Sequence, residues 1–119
     1  MSLDPVEQLR RYHAALNRYE EAVVTPMFAP EAIYVSPGVN GRLVGREAII
    51  AAFNAYFAEH PDQIAIDDSI AAVDPRTVQA SWRLEATARS SGAQVRRRGT
   101  ETVTFDAAGL IIRVEVQDA

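Results

Sequence analysis

One acidic residue occurs on the apolar face of a predicted β-strand in the last third of the chain. In the segment 95–105 alternate residues share a face, which places Glu101 beside Val103 and Phe105. An ionised carboxylate on such a face is costly unless it is paired or protonated. A carboxyl group in these surroundings is a candidate for acid–base or hydrogen-bonding chemistry. Glu101 is therefore the first residue that we consider for a functional site.

Other charged residues on the predicted strands are weaker candidates. Arg97 has the same parity as Glu101 and lies about 13 Å from it along the strand. Arg97 either attracts an anionic ligand at the mouth of a pocket or points to water, and the second reading is favoured. Asp67 and Asp68 are expected on a solvated strand face, although Asp68 has the parity of the isoleucines in the segment 64–70.

The sequence predicts helices in its first half and strands in its second half. Asp4 and Pro5 form a helix start, and Pro26 shortens or kinks a second helix. Asn40-Gly41 is a strong hairpin signal. The predicted helices cover residues 5–19, 20–28 and 46–58, and the predicted strands cover 32–36, 42–44, 64–73, 77–89, 95–105 and 110–117. Short turn-like breaks separate the last four strands, which indicates an antiparallel meander and an α+β fold with the helices on one face.

Composition excludes several classes of function. The chain has 119 residues, no cysteine, two histidines and a net charge of -4, and all 12 of its basic residues are arginine. A disulfide framework, a thiolate metal site and Schiff-base chemistry are thereby excluded, and nucleic acid is disfavoured as a partner. We expect one domain, no metal and no organic cofactor, because histidines are few and no glycine-rich phosphate loop is present. Neither an apolar run of about 20 residues nor an export leader occurs, so we expect no membrane association and a cytoplasmic location.

Four short segments resemble, in order and spacing, the nuclear transport factor 2-like superfamily. Two of them resemble ketosteroid isomerases, one the helix start of SnoaL-like polyketide cyclases, and one the last hairpin of both. The segments are 11–17 (RYHAALN), 27–32 (MFAPEA, followed by a strand ending in Ser36-Pro37), 45–49 (GREAI) and 105–111 (FDAAGLI). The resemblance covers residues 1–119 as a single SnoaL-like domain. It implies a cystatin-like α+β cone, in which a curved antiparallel sheet wraps around a long N-terminal helix, with two further helices and a deep apolar pocket.

The resemblance also implies roles for individual residues. In ketosteroid isomerases a tyrosine and a protonated acid bind the substrate oxygen while an aspartate moves the proton. Tyr12 and Glu101 correspond to the first two residues, and we expect a hydrogen bond between them. Ser36 stands at the position of the base, where its hydroxyl is a far weaker base than a carboxylate. His13 is considered as a base at the pocket rim, but packing at the helix–sheet boundary or contact with water is favoured, because one residue along a helix turns about 100°.

Two functions remain open at the level of the sequence. The first is a small-molecule pocket enzyme of SnoaL-like type, an isomerase, cyclase or dehydratase acting on an apolar ring compound. The second is a non-catalytic ligand-binding or dimerisation module on the same fold. The residues expected to bind the ring are Tyr34, Ser36, Phe53, Tyr56, Phe57, Trp82 and Phe105. We also expect a homodimer through the outer sheet face, which carries Gln79, Ser81, Arg83, Thr100, Thr102, Arg113 and Glu115.

Overall fold

The first helix begins where the sequence predicts. A computed structural model describes residues 4–37 and 41–118, and in it α1 spans Pro5–Arg18. The Asp4 carboxylate accepts hydrogen bonds from the backbone N–H groups of Val6 and Glu7 at 3.1 and 3.3 Å, so it caps the helix. The buried side of α1 carries Leu9, Tyr12 and Ala15. This stripe fixes which side of the helix faces the sheet.

The second predicted helix is shorter than the sequence indicated. Helix α2 covers only Glu21–Val24, and the 3₁₀ turn Thr25–Met27 follows it. Pro26 lies inside this turn, where it has no N–H for a helical hydrogen bond. Strand β1 then begins at Phe28 and runs to Ser36, four residues earlier than the predicted start at Ala32.

Six strands form one curved, unclosed sheet in the order β2-β1-β6-β5-β4-β3. Strand β2 pairs with β1 as predicted, with Ser36 opposite Gly41, while Asn40 of the predicted turn lies outside the described residues. The last four strands form the predicted antiparallel meander, and β6 lies parallel to β1. The strands are β2 Gly41–Val44, β3 Ile64–Asp74, β4 Thr77–Thr87, β5 Gln94–Phe105 and β6 Ile111–Asp118, and helix α3 is Arg46–Glu59.

The core lies between α1, α3 and the inner face of the sheet. The residues that fill it come from all three helices and from four of the strands. Phe53 and Phe105 belong to this core, together with Val103 on the face that the strand parity predicted. The α+β arrangement with the helices on one face is therefore confirmed. Within residues 4–37 and 41–118, no helix is long and apolar enough to cross a membrane.

Candidate functional site

His13 lies between two carboxylates on the inner face of the sheet. Its Nδ1 is 2.7 Å from Oδ2 of Asp67, and its Nε2 is 2.5 Å from Oε1 of Glu101. Helix α1 supplies the imidazole, whereas β3 and β5 supply the two carboxylates. The side chain thus lies at the helix–sheet boundary, the first of the two places that the sequence favoured, and not in bulk water. It also lines a cavity, which was the less favoured alternative.

A bulge in β3 directs Asp67 inward. The pairing with β4 runs from Asp67 opposite Trp82 to Ser69 opposite Ser81, so Asp68 is an extra residue in β3. Asp68 points to the outer face and pairs with Arg83 at 3.0 Å. The expectation of a solvated strand face holds for Asp68 and is wrong for Asp67. The alternation of inward and outward side chains does not predict these positions, because the extra residue shifts that alternation by one position along the strand.

Glu101 occupies the inner face that the alternation of β5 predicted. The residue is 6% exposed and lies opposite Ala80 on β4 and Val116 on β6. His13 on α1 contacts the carboxylate from the helix that packs on this face. Pairing with His13 offsets the free-energy cost of burying the Glu101 carboxylate. The sequence left two possibilities open, pairing and protonation, and pairing is the one that the structure shows.

The two carboxylates hold a proton on His13. Burial lowers the pKa of His13, but the Glu101 charge and the hydrogen bonds to Asp67 and Glu101 outweigh it and raise that pKa from 6.5 to about 10. The imidazole is therefore an imidazolium at neutral pH, with both N–H groups committed to carboxylates. The bonds occupy one oxygen of each acid, Oδ2 of Asp67 and Oε1 of Glu101. The described residues make no other hydrogen bond to either carboxylate, so the second oxygen of each is an acceptor for a ligand or water.

A cavity of about 100 Å³ lies against this cluster. His13, Asp67 and Glu101 form its polar end. The rest of the wall is mainly apolar and contains Leu16, Ala65, Trp82 and Leu84, with Asn17 and Gln63 near the start of β3. The arrangement suits a ligand with an apolar body and a polar group directed at the carboxylates.

Tyr34 adds a hydroxyl to the same cavity. Burial and the nearby Glu101 charge raise the pKa of Tyr34, while Arg97 lowers it by a smaller amount. The phenol therefore keeps its proton throughout the physiological pH range and is a hydrogen-bond donor. Of the seven residues expected to bind a ring, Tyr34 and Trp82 line the cavity.

Trp82 forms one wall because a glycine lies beneath it. Gly99 is opposite Trp82 in the β4–β5 pairing, and a Cβ there would come within 2.9 Å of Cζ2 of the indole. The Arg97 guanidinium lies 5.6 Å from the indole centroid and also pairs with Asp118 at 2.7 Å. The expectation that Arg97 points to water is therefore wrong. The guanidinium packs on the tryptophan and is held there by the end of β6.

Tyr12 does not make the predicted hydrogen bond with Glu101. Its side chain is fully buried, and its hydroxyl has no hydrogen-bond partner among the described residues. The ring instead packs edge to face with Phe28, with centroids 5.5 Å apart. His13, the next residue along α1, takes the Glu101 oxygen because its ring reaches between the two acids.

The remaining predicted ligand-binding residues lie away from the lining of this cavity. Ser36 is buried on the inner face of β1 and is 5% exposed. The others belong to the core or to an aromatic group next to α3, where Phe57 stacks on Tyr19. These residues are Phe53, Tyr56, Phe57 and Phe105. Their role in ligand binding stays a prediction.

The site has no evident place for a metal ion. Both nitrogens of His13 already face carboxylate oxygens, so the imidazole offers no lone pair to a cation. In the described parts of the chain, no three acidic, histidine or cysteine side chains are grouped as metal ligands. The expected absence of metals and cofactors stays a prediction.

Comparison with known families identifies the fold. Residues 9–114 match the family model of the SnoaL-like domain. The chain belongs to this family. Because the match extends from α1 to β6, it includes the three elements that carry His13, Asp67 and Glu101. No curated protein matches the sequence.

Solved structures share the whole SnoaL-like fold at low sequence identity. The epoxide hydrolase/cyclase-like enzyme SalBIII, described in pyran ring formation in polyether salinomycin, has a TM-score of 0.84 at 19% identity, covering 95% of this chain and 88% of that one. RV0760c from Mycobacterium tuberculosis, in complex with estradiol-17beta-hemisuccinate, has a TM-score of 0.84 at 15% identity, with coverage of 96% and 93%. Delta 5-3-ketosteroid isomerase from Mycobacterium sp. has a TM-score of 0.83 at 15% identity, with coverage of 97% and 93%. These likenesses confirm the nuclear transport factor 2-like, cystatin-like fold class.

Proposed function

We propose that this SnoaL-like protein catalyses proton transfer on a small, apolar molecule that carries an oxygen function. The observation that supports this is the position of the protonated His13 imidazole, which lies between Asp67 and Glu101 at the polar end of the cavity. General acid–base catalysis needs a proton donor and a proton acceptor within hydrogen-bond reach of the reacting group. The cluster contains both.

The geometry suggests how the cluster works. The free oxygen of one carboxylate accepts a proton from the ligand or from a water molecule. His13 then gives its proton to the other carboxylate, which passes it to a second atom of the ligand. The first carboxyl group finally transfers the proton that it took from the ligand to the neutral imidazole, so the two carboxylates and the imidazolium are restored. This replaces the base that Ser36 could not supply.

The supporting residues fit the same reaction. Trp82 and Leu84 offer an apolar wall to the body of the ligand, and the Tyr34 hydroxyl can donate a hydrogen bond to its oxygen. Two structurally similar proteins are named as an epoxide hydrolase/cyclase-like enzyme and as an isomerase, and neither is named as a dehydratase. We therefore favour isomerisation or cyclisation of a ring compound over dehydration.

Two probes and three variants test this proposal. The wild type is incubated with cyclohexene oxide and with a cyclic β,γ-unsaturated ketone, and ring opening and double-bond migration are followed by NMR. We expect a rate above the buffer background for one of them. Asp67→Asn and Glu101→Gln should lower that rate by about 10²-fold or more, the usual contribution of one general acid or base. Asp68→Asn is the matched control and should keep the wild-type rate.

A non-catalytic binding module is the second candidate. Its support is that His13, Asp67 and Glu101 form a complete buried ion-pair group, which also satisfies a structural requirement. On this reading, ligands bind in the cavity and leave it unchanged, and none of the three variants alters a reaction rate. Background rates with both probes would favour this candidate.

We also propose a homodimer through the outer face of the sheet. Ile64 and Ile66 are 61% and 46% exposed there, next to Arg83 and Glu85 on β4. An apolar strip beside charges of both signs suits an interface between two copies related by a twofold axis. Light scattering should give the mass of a dimer for the wild type.

A matched pair of variants tests the surface of this dimer. Ile66→Asp should give the mass of a monomer, because it places a charge in the apolar strip. Val44→Asp, at an exposed position on the opposite edge strand β2, should leave the dimer intact. A wild-type monomer at micromolar concentration contradicts the proposed dimer. The cytoplasmic location stays a prediction.

A further inference from the structure

The cavity is much smaller than a site for a polycyclic ligand. Its volume is about 100 Å³. Pockets for drug-sized ligands measure roughly 300–1,000 Å³, and a water molecule in the liquid takes up about 30 Å³. The site therefore has room for about three water molecules or a single small ring. A steroid fits inside this volume only if the walls move apart.

A side-chain clasp holds two of these walls together. The Asn17 amide donates from Nδ2 to the carbonyl oxygen of Ala65 and accepts from the Ala65 N–H, both at 2.9 Å. Asn17 belongs to α1 and Ala65 to β3, and both line the cavity. The amide thereby pairs with β3 as a residue of a neighbouring strand would. It sits on the open edge of the sheet, because β3 is an outermost strand.

The clasp and the proton cluster form one seam between α1 and β3. Asn17 lies one helical turn after His13, on the same side of the helix. Their partners, Ala65 and Asp67, are two residues apart on the same face of β3. The opposite wall, Leu84 on β4, is held by strands on both sides. Widening the cavity thus requires α1 and β3 to separate, and Asn17 is the exposed end of that seam.

We propose that Asn17 sets the size limit of the site, so that the native ligand is a compact, single-ring alcohol. This inference rests on the proposed function only because both concern the same cavity. The hydroxyl is favoured because His13 leaves one acceptor oxygen on each carboxylate, and a hydroxyl donates to such an oxygen. The apolar wall of Leu16, Trp82 and Leu84 receives the ring.

Binding can be measured without any reaction. Trp82 is the only tryptophan in the chain and lines the cavity, so its fluorescence reports occupancy. Cyclohexanol and estradiol are titrated into the wild type, Asn17→Ala and Asn54→Ala. Asn54 is the matched control, because its amide links Tyr19 of the loop after α1 with Glu21 of α2 and does not line the cavity.

The expected result is a reversal of ligand size preference in one variant. The wild type and Asn54→Ala should bind cyclohexanol with saturation and give no saturable response to estradiol up to its solubility. Asn17→Ala should gain saturable estradiol binding, with a Kd at least tenfold below the highest estradiol concentration at which the wild type shows no saturation. Asn17→Ser is polar but too short to make both hydrogen bonds, so it should show the same gain in estradiol binding. It replaces Asn17→Ala in the experiment if Asn17→Ala does not fold.

Three results would overturn this inference. They are saturable estradiol binding by the wild type, no cyclohexanol binding by the wild type, and unchanged estradiol affinity in both Asn17 variants. Failure of the proposed catalysis gives a different pattern. The size selection then persists in the fluorescence titrations, while the wild type itself shows only background rates with both NMR probes.

Discussion

Asp67 and Asp68 are consecutive in β3, yet they serve opposite faces of the sheet. Asp67 bonds His13 inside the molecule at 2.7 Å, whereas Asp68 pairs with Arg83 outside at 3.0 Å. The bulge at Asp68 separates these two environments. The same residue type is therefore present, one position apart, in a shielded cluster and on a solvated surface.

Replacing each aspartate by asparagine should give unequal losses of stability. Asp67→Asn removes the negative charge from a shielded hydrogen bond, and a hydrogen bond to a charged group is worth about 1.5–3 kcal/mol. Asp68→Asn removes an exposed ion pair, which is worth about 0–1 kcal/mol. Urea unfolding followed by Trp82 fluorescence measures both free energies of unfolding. Equal losses would show that the bulge does not separate the two side chains as described.

The free energy of unfolding should decrease as the pH rises above neutrality. The pKa of His13 is about 10 in the folded protein against an ordinary value of 6.5. A raised folded-state pKa gives stability that is fully present below pH 6.5 and is lost as the pH rises to about 10. A tenfold difference in proton affinity corresponds to about 1.4 kcal/mol, so the total effect is on the order of a few kcal/mol.

Urea unfolding at several pH values tests this dependence. Glu101→Gln should flatten the decline between neutrality and pH 10, because it removes the charge that contributes most to raising the pKa of His13. If the free energy of unfolding declines equally in Glu101→Gln and in the wild type, groups other than His13 cause the pH dependence.

Tyr12→Phe should leave stability unchanged or increase it slightly. The Tyr12 hydroxyl is fully buried and lacks a hydrogen-bond partner in the described part of the chain. Its removal relieves the desolvation cost of an unpaired polar group, about 1–3 kcal/mol at most, and keeps the ring against Phe28. Tyr34→Phe is the comparison, since it removes a hydroxyl at the cavity. A loss above about 1 kcal/mol in thermal unfolding of Tyr12→Phe would indicate a bonding partner for this hydroxyl.

Gly99→Ala should destabilise the protein strongly. An added Cβ would meet the carbonyl oxygen of Gln117 at 1.9 Å and Cζ2 of Trp82 at 2.9 Å. The first clash is with the backbone of β6, which cannot move without breaking the β5–β6 pairing. We expect a loss of several kcal/mol, above the usual 1–3 kcal/mol of overpacking, and a changed Trp82 emission spectrum. Thr100→Ala, on the outer face of the same strand, should cost less than about 1 kcal/mol.

Local patterns predicted most of the fold. The Asp4 cap, the alternation around Glu101 and the short turns between the last strands each depend on residues close in sequence. For that reason α1, the inner face of β5 and the meander agree with the structure. The second helix was placed less well, because a short apolar run around Pro26 suits a 3₁₀ turn and a strand as well as a helix.

The site was predicted only in part, because its central contact joins distant residues. Glu101 was found from parity alone, whereas the contact between His13 and Asp67 spans 54 positions. Parity grouped Asp68 with the isoleucines of the segment 64–70 and gave no sign that Asp67 faces inward, because one extra residue in an edge strand reverses every side chain beyond it. The consecutive aspartates in an isoleucine-rich strand were the available sign of that bulge.

The pKa of His13 is the most direct test of whether Asp67 and Glu101 hold a proton on its imidazole. A ¹⁵N–¹H NMR titration of the imidazole ring follows both nitrogens and gives this value in the intact protein. We expect a pKa of about 10, with both nitrogens protonated at neutral pH, and a lower pKa in Asp67→Asn. A wild-type pKa at or below the ordinary 6.5, unchanged by Asp67→Asn, would contradict the claim that His13 holds a proton between the two carboxylates.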